Sequence, residues 1–359
     1  MKRFLKISLP ILCLSFLIIG CGKKEEKKET TKVENTKKEE KKEIKNLPIN
    51  KVVEEKRVYV TAKWAKEFMD KTDKNKYILA EVTWGDEKAS ADFLKKHIPT
   101  AVHLNTDDIE EGPLWNLKKP EVLEKNFLKY GITSDKTLLL YGPNIGADRV
   151  AFAALYMGVK DVKIIDGRLG AWEKEGYPVE SGSVALKEEK DFKTKTPVHP
   201  EYILSLDETV KKLKEDKDFE LVSVRSKEEW LGKTSGYTYI PKAGEPKGAV
   251  WGESGSGNSG MENYLNKDLT VKPFEDIVKH WNNHGFSLSN DMSFYCGTGW
   301  RAATPWLLMY ERGYTPTMFD GGWNEWQMHN DLDVQIGDPK DGKTLKVKDL
   351  SNDKALPKK

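Results

Sequence analysis

Short apolar runs alternate with amphipathic stretches between about residues 55 and 335. Two long segments follow the same order, "TLLLYGPNIGADRVAFAALYMGVKDVKIIDGRLGAWEKEGYPV" (137–179) and "MSFYCGTGWRAATPWLLMYERGYTPTMFDGGWNEWQMHNDLDV" (292–334). Each opens on an apolar strand and a glycine-containing turn. An amphipathic helix follows and ends near Gly158 or Gly313. A second short strand closes on Asp166-Gly167 or Asp320-Gly321, and a short helix then carries Trp172, or Trp323 and Trp326. Upstream of the first copy, "YILAEVTW" (77–84) reads as a buried strand and "HIPTAVHLN" (97–105) as a turn into another. Upstream of the second, "DETVKKLKED" reads as a helix, "FELVSVRS" as a strand and "EPKGAVWG" as a turn and strand.

A repeat of roughly 150 residues is far too long for a solenoid. It predicts two copies of one domain. Strands alternating with helices predict the α/β class, each domain being a parallel sheet flanked by helices. The expected boundaries are 53–182 and 199–337, joined by a linker at 183–198 and followed by a polar tail at 338–359. In such sheets ligands sit at the carboxyl ends of the strands, near helix N-termini. The turn at 296–301 has that position.

The start of the chain has a different pattern. Lys2, Arg3 and Lys6 precede an apolar stretch from Ile7 to Ile19, too short for a comfortable membrane span. It ends in "LIIGC", similar to a bacterial lipobox, which implies a signal peptide at 1–21, cleavage before Cys21 and lipidation of Cys21; an ordinary signal peptide cut nearby, or an uncleaved anchor, is the bland alternative. Residues 22–52 are rich in lysine and glutamate and cannot bury a core, so they are expected to form a charged, disordered tether. The protein is thus expected to be exported and lipid-anchored, facing periplasm or cell exterior. A formal net charge of +2 gives no basic footprint for nucleic acid. A monomer is expected, with no cofactor and no metal.

Three cysteines are present. Cys13 is lost with the signal peptide and Cys21 is acylated, so Cys296 is left without an intramolecular disulfide partner. It lies in "CGTGWR", where Gly297 and Gly299 permit backbone angles closed to other residues. Successive N–H groups can then turn inward as a nest backed by a helix N-terminus, which is an anion site. The same field, with the charge of Arg301, is what activates a cysteine nucleophile. The bland alternative is a small buried residue ending a strand.

"CGTGWR", "DGGWNEW", "LVSVRSKEEW" and "HIPTAVHLN" together resemble the rhodanese, or thiosulfate sulfurtransferase, family, and most closely its periplasmic tandem-domain members. The resemblance implies a sulfurtransferase that takes sulfur from a small anionic donor such as thiosulfate and passes it to a thiol, cyanide or protein acceptor through a Cys296 persulfide. It implies that the backbone of Gly297, Thr298, Gly299 and Trp300 stabilises the persulfide, and that Arg301 orients the donor or anchors the loop. Arg225 is implied on the substrate side. The first copy departs from the pattern: Tyr141 or Gly142 falls where the cysteine belongs, so that domain is expected to be catalytically silent. Glu81 and Ser223 stand where the family often has Asp, and Glu229 stands where relatives often have a second arginine. A negative charge there would repel an anionic donor.

A non-enzymatic persulfide carrier, or an anion- or protein-binding module, would use the same loop. A cysteine phosphatase needs Cys-x5-Arg, whereas Arg301 follows Cys296 after four residues. "WGESGSGNSGMENY" (251–264) lacks the closing Gly-Lys-Ser/Thr of a P-loop and reads as a long surface loop, and the family resemblance leaves a lid or acceptor-docking role as the alternative. His280 and His284 share a helix face, but Trp281 occupies the position of a zincin glutamate, so they read as two surface histidines.

Overall fold

The computed structural model describes residues 57–358. The expected signal peptide, Cys21 and the tether lie outside the described residues. The first half runs β1 (Tyr59–Val60), α1 (Ala62–Lys71), β2 (Tyr77–Thr83), α2 (Ala91–Lys95), β3 (Val102–Asn105), the hairpin β4 (Glu110–Glu111) and β5 (Asn116–Leu117), α3 (Pro120–Lys129), β6 (Thr137–Tyr141), α4 (Gly146–Met157), β7 (Asp161–Ile165) and α5 (Arg168–Lys174). The second half runs β8 (Ile203–Leu204), α6 (Leu206–Glu215), β9 (Phe219–Ser223), α7 (Lys227–Trp230), β10 (Glu245–Pro246), β11 (Val250–Trp251), α8 (Phe274–Asn283), β12 (Asp291–Tyr295), α9 (Trp300–Tyr310), β13 (Thr317–Phe319), α10 (Gly322–Trp326), β14 (Asp333–Ile336) and β15 (Lys343–Lys346).

Each half builds a five-stranded sheet in which all pairs are parallel. The orders are β3-β2-β6-β7-β1 and β11-β9-β12-β13-β8, the same winding twice. The central strands read as near-continuous apolar runs because helices cover both faces. Local signals agree with this plan. Thr61 caps α1 through the Trp64 N–H, and Ser205 and Glu208 form a capping box that starts α6.

The helices that follow the two central strands, α4 and α9, pack on each other. Both are apolar almost all round, so both must be buried. Small residues such as Ala151 and Ala303 are fully covered, and the Phe152 ring meets Trp306 edge to face at 4.8 Å. Thr304 Oγ1 donates to Asp148 Oδ1 at 3.1 Å across the contact. A single apolar core therefore runs through both halves, with a separate outer core behind each sheet. This pairing sets the two strand-to-helix turns side by side.

Two segments differ from expectation. The linker has no regular structure, yet it packs on the first domain, with Phe192 buried and its carbonyl accepting from the Ser134 N–H at 3.0 Å. Residues 338–358, expected as a polar tail, fold onto the second domain. β15 pairs antiparallel with β14, Val347 is buried, and the Leu356 N–H donates to the Tyr237 carbonyl at 2.8 Å. Alternating apolar positions in "KTLKVKDL" give the tail an inward face that polar composition conceals. Among the described residues no helix is long and apolar enough to cross a membrane.

Candidate active site

The turn after β12 is shaped by what holds its carbonyls. The Cys296 carbonyl accepts from the Trp323 N–H at 2.8 Å and the Gly297 carbonyl from the Asn324 N–H at 3.1 Å, both at the start of α10. Among the described residues, the backbone N–H groups from 297 to 302 have no protein acceptor within hydrogen-bond reach. They stay available beside a thiol that is only 1% exposed. Such a run of free N–H groups at the start of an eleven-residue helix is an anion site. The glycines are needed for contact as well as for turning. A Cβ at Gly297 would lie 2.2 Å from the Tyr237 ring, and Gly299 has φ +91° with a Cβ that would lie 2.5 Å from Arg149 Nη1.

Arg301 is pinned. Its guanidinium forms a two-pronged pair with Glu229, Nη1 to Oε2 at 2.7 Å and Nη2 to Oε1 at 2.8 Å, and it also donates to the Tyr237 hydroxyl at 3.1 Å. Glu229 receives a second cation, Arg225 Nε at 3.2 Å, and the Ser226 N–H at 2.9 Å. Burial works to raise the Glu229 carboxyl, but the guanidiniums of Arg301 and Arg225 outweigh it and hold it at about 2. The carboxylate that seemed an obstacle to an anionic donor is thus spent on Arg301. Arg301 lines the cavity beside the loop but serves as the loop's anchor.

Arg225 requires a correction. It is fully buried and absent from the cavity wall, so it does not face a substrate. Its guanidinium donates to Glu245 Oε1 at 2.5 Å and to the Gly244 carbonyl at 2.7 Å, and stacks on Trp323. It acts as the hub of a buried ion-pair network beneath the loop. Ser223 belongs to the same network through its bond to Glu245 at 3.0 Å.

The first domain reaches into this site. Arg149, from α4, donates to Asp320 Oδ1 at 2.5 Å and to Glu110 Oε2 at 3.0 Å, and its guanidinium lies against Gly299. The other oxygen of Glu110 accepts from Trp300 Nε1 at 2.5 Å. Burial raises the Glu110 carboxyl to about 7, against the opposing pull of Arg149. The β4–β5 hairpin docks as well: Asn324 donates to the Pro113 and Leu114 carbonyls, and the Leu117 N–H donates to Asp320. The second domain's loop is therefore clamped by the first domain.

A cavity of about 950 Å³ opens between the domains. Thr298, Trp300 and Arg301 form its floor. Trp84, Trp115 and Tyr239 stand around it, and residues 258–262 supply another wall. That wall belongs to the segment read as a long surface loop, with a lid or acceptor-docking role as the alternative. Ser254 Oγ and the Gly257 carbonyl in the same segment lie 3.4 and 3.2 Å from Arg301 Nη1. Tyr237 and Tyr239 went unnoticed in the sequence, where "TSGYTYIPK" has no periodicity to mark it. Burial pushes both hydroxyls up, Tyr239 to about 12.

Strand register resolves the ambiguity in the first copy. Tyr141 pairs with Glu81 as Tyr295 pairs with Ser223, so Gly142 is the counterpart of Cys296. A Cβ at Gly142 would lie 2.3 Å from the Val82 carbonyl oxygen. The position holds no cysteine and has no room for a side chain.

Two parallel α/β domains in tandem, one presenting a buried thiol on a glycine loop at a helix N-terminus, define a class of cysteine-loop proteins. The rhodanese-like domain model matches residues 61–175 and 206–329, and the chain belongs to that family. It is 40% identical over 261 residues, 72% of its length, to thiosulfate sulfurtransferase YnjE of Escherichia coli K12, and the match spans 59% of that relative. The crystal structure of YnjE superposes with a TM-score of 0.73 at 36% identity, covering 80% of this chain and 70% of the other. A putative thiosulfate sulfurtransferase of Haloferax volcanii is 27% identical over 76% of this chain and 93% of its own. An anaerobic ergothioneine biosynthesis enzyme from Chlorobium limicola, in complex with trimethyl histidine, gives a TM-score of 0.74 at 32% identity over 79% of this chain and 71% of its own.

Proposed function

We propose that this protein is a sulfurtransferase that carries a sulfane sulfur as a persulfide on Cys296. The observation that carries the reading is the run of free N–H groups at 297–302 around a buried thiol. The Cys296 thiolate attacks the outer sulfur of a donor such as thiosulfate. The S–S bond breaks and sulfite leaves with its electron pair. The persulfide anion then rests against the N–H groups of Gly297 to Arg301. A nucleophilic acceptor attacks the terminal sulfur, and the Cys296 thiolate departs with the electrons of the broken bond. This is covalent catalysis in two half-reactions. Arg301 acts by fixing the start of α9, since its charge is already met by Glu229. The first domain acts as the clamp, without chemistry of its own. The sequence of residues 1–21 further supports attachment to a membrane surface through Cys21, facing periplasm or exterior.

The cavity favours an organic acceptor over one the size of cyanide. Its volume suits a small molecule, and its aromatic wall suits a flat one. In one structure of the protein EanB, similar to this chain with a TM-score of 0.74 at 31% identity, a persulfide-bearing cysteine stands with ergothioneine in a tetrahedral intermediate state. The tyrosine replaced in that variant precedes the cysteine by the same number of residues as Tyr237 precedes Cys296. The threonine replaced in another variant follows it by two, as Thr298 does here. We therefore place Tyr237 and Thr298 beside the transferred sulfur.

The test mixes purified protein with thiosulfate and cyanide and follows thiocyanate. Turnover that disappears in Cys296→Ser supports the enzyme. One equivalent of persulfide that neither cyanide nor a small organic thiol turns over would instead make the protein a carrier.

A further inference from the structure

Away from the cavity, α8 presents His280 and His284 one turn apart. The sequence leaves them as two surface histidines, and the structure adds a third group. Glu253, just past β11, holds φ +33°, a conformation an L residue rarely adopts. Its carboxylate meets His284, Oε2 to Nε2 at 3.2 Å. His280 Nε2 lies 3.3 Å from the Gly252 and Glu253 carbonyl oxygens. The two imidazoles stand edge to face at 4.7 Å. One ligand atom from each of the three residues falls within 4.8 Å of the others.

We propose that Glu253, His280 and His284 form a binding site for a divalent ion of the zinc class. Two imidazoles and one carboxylate are a borderline donor set that suits Zn²⁺, Co²⁺ or Ni²⁺ better than Mg²⁺ or Ca²⁺. Zinc bonds to nitrogen and oxygen are about 2.0–2.2 Å, which sets tetrahedral ligand atoms roughly 3.4 Å apart, so groups now within 4.8 Å must close by up to about 1.4 Å through side-chain rotation. The side chains of His284 and Glu253 are 20% and 31% exposed, which leaves an entry path and room for water as a fourth ligand. The residue after Glu253 is Ser254, which reaches Arg301, and the same segment continues into the cavity wall at 258–262. An ion here ties the root of that wall to α8, a structural role outside the sulfur chemistry.

The measurement is Zn²⁺ titration calorimetry on the full chain in a Cys296→Ser background, which removes the folded body's thiol as a competing ligand. The site takes one ion per chain, and Co²⁺ in its place gives visible bands of four-coordinate intensity. Co²⁺ also quenches Trp251, whose ring is 5.0 Å from His284. His284→Ala and Glu253→Gln each weaken Zn²⁺ by at least about 10-fold, since loss of a group that merely supports a ligand already costs that much. Circular dichroism checks folding, and if His284→Ala does not fold, Glu253→Gln and the Co²⁺ spectrum carry the decision. No saturable Zn²⁺ uptake, or uptake unchanged in the folded variants, overturns the proposal and leaves three side chains that only hydrogen-bond one another. Sulfur transfer is not part of this readout, so the site stands or falls separately from the persulfide.

Discussion

Glu229→Gln separates two roles for the carboxylate beside the loop. Glu229 is fully buried and faces Arg301 through two bonds and Arg225 through one. Its carboxyl is held at about 2 against an ordinary 4.5, because the two guanidiniums outweigh the burial that opposes them. At about 1.4 kcal/mol per pH unit, that difference corresponds to roughly 3 kcal/mol of stability. The folded value is the lower one, so the stabilisation is present above pH 4.5 and is lost as pH falls through about 2. Removing one partner of a buried pair costs about 3–5 kcal/mol by an independent route. Urea unfolding at pH 7 should therefore show Glu229→Gln less stable by roughly 3 kcal/mol. A series toward pH 3 should show that its acid limb is flatter than that of wild type. Because Arg301 fixes the start of α9, kcat for thiocyanate formation should fall with stability, and combining the change with Arg301→Met should add less than the sum of the two. An unchanged urea midpoint together with tighter thiosulfate binding would rule out the anchoring role. Glu229 would then act as a charge against the donor.

Gly299→Ala should lose about 1–3 kcal/mol and most transfer activity, because φ +91° is strained for alanine and its Cβ meets Arg149; urea unfolding and the thiocyanate assay check both. Gly142→Cys should create no second sulfur site, since its Cβ would lie 2.3 Å from the Val82 carbonyl oxygen. Peptide mass spectrometry after thiosulfate should find the persulfide only at position 296. Burial holds Glu110 at about 7, so ionising it costs the folded state and stability should decline as pH rises from 4.5 to 7. Glu110→Gln should remove up to about 3 kcal/mol of that decline, read from urea midpoints at pH 5 and pH 8.

The repeat was legible because its parts are local. A strand ending at Tyr141 or Tyr295, a glycine turn and a buried helix leave the same pattern twice. Cys296 was legible for a similar reason, as its loop lies within six consecutive residues. The roles of the arginines were not. The family resemblance put Arg225 on the substrate side, but Glu245, twenty residues on, draws it under the loop. Glu229 looked repulsive until its partner 72 residues away was seen. The clamp was hidden further still: Arg149 and Asp320 meet only because α4 and α9 pack together, and no spacing within either copy signals a contact between copies. The hairpin that delivers Glu110 and Trp115 went unread, although Gly112-Pro113 in "EEGPLWNL" is a turn signal that could have marked it. The folded tail carried a faint signal, an alternation in "KTLKV" outweighed by its lysines.

Whether sulfur rests on Cys296 is decided by mass spectrometry of the intact chain after thiosulfate. The mass should rise by one sulfur atom, the addition should map to the Cys296 peptide, cyanide should remove it, and Cys296→Ser should gain nothing. A chain that gains no sulfur at Cys296 from thiosulfate or any other sulfane donor would contradict the account.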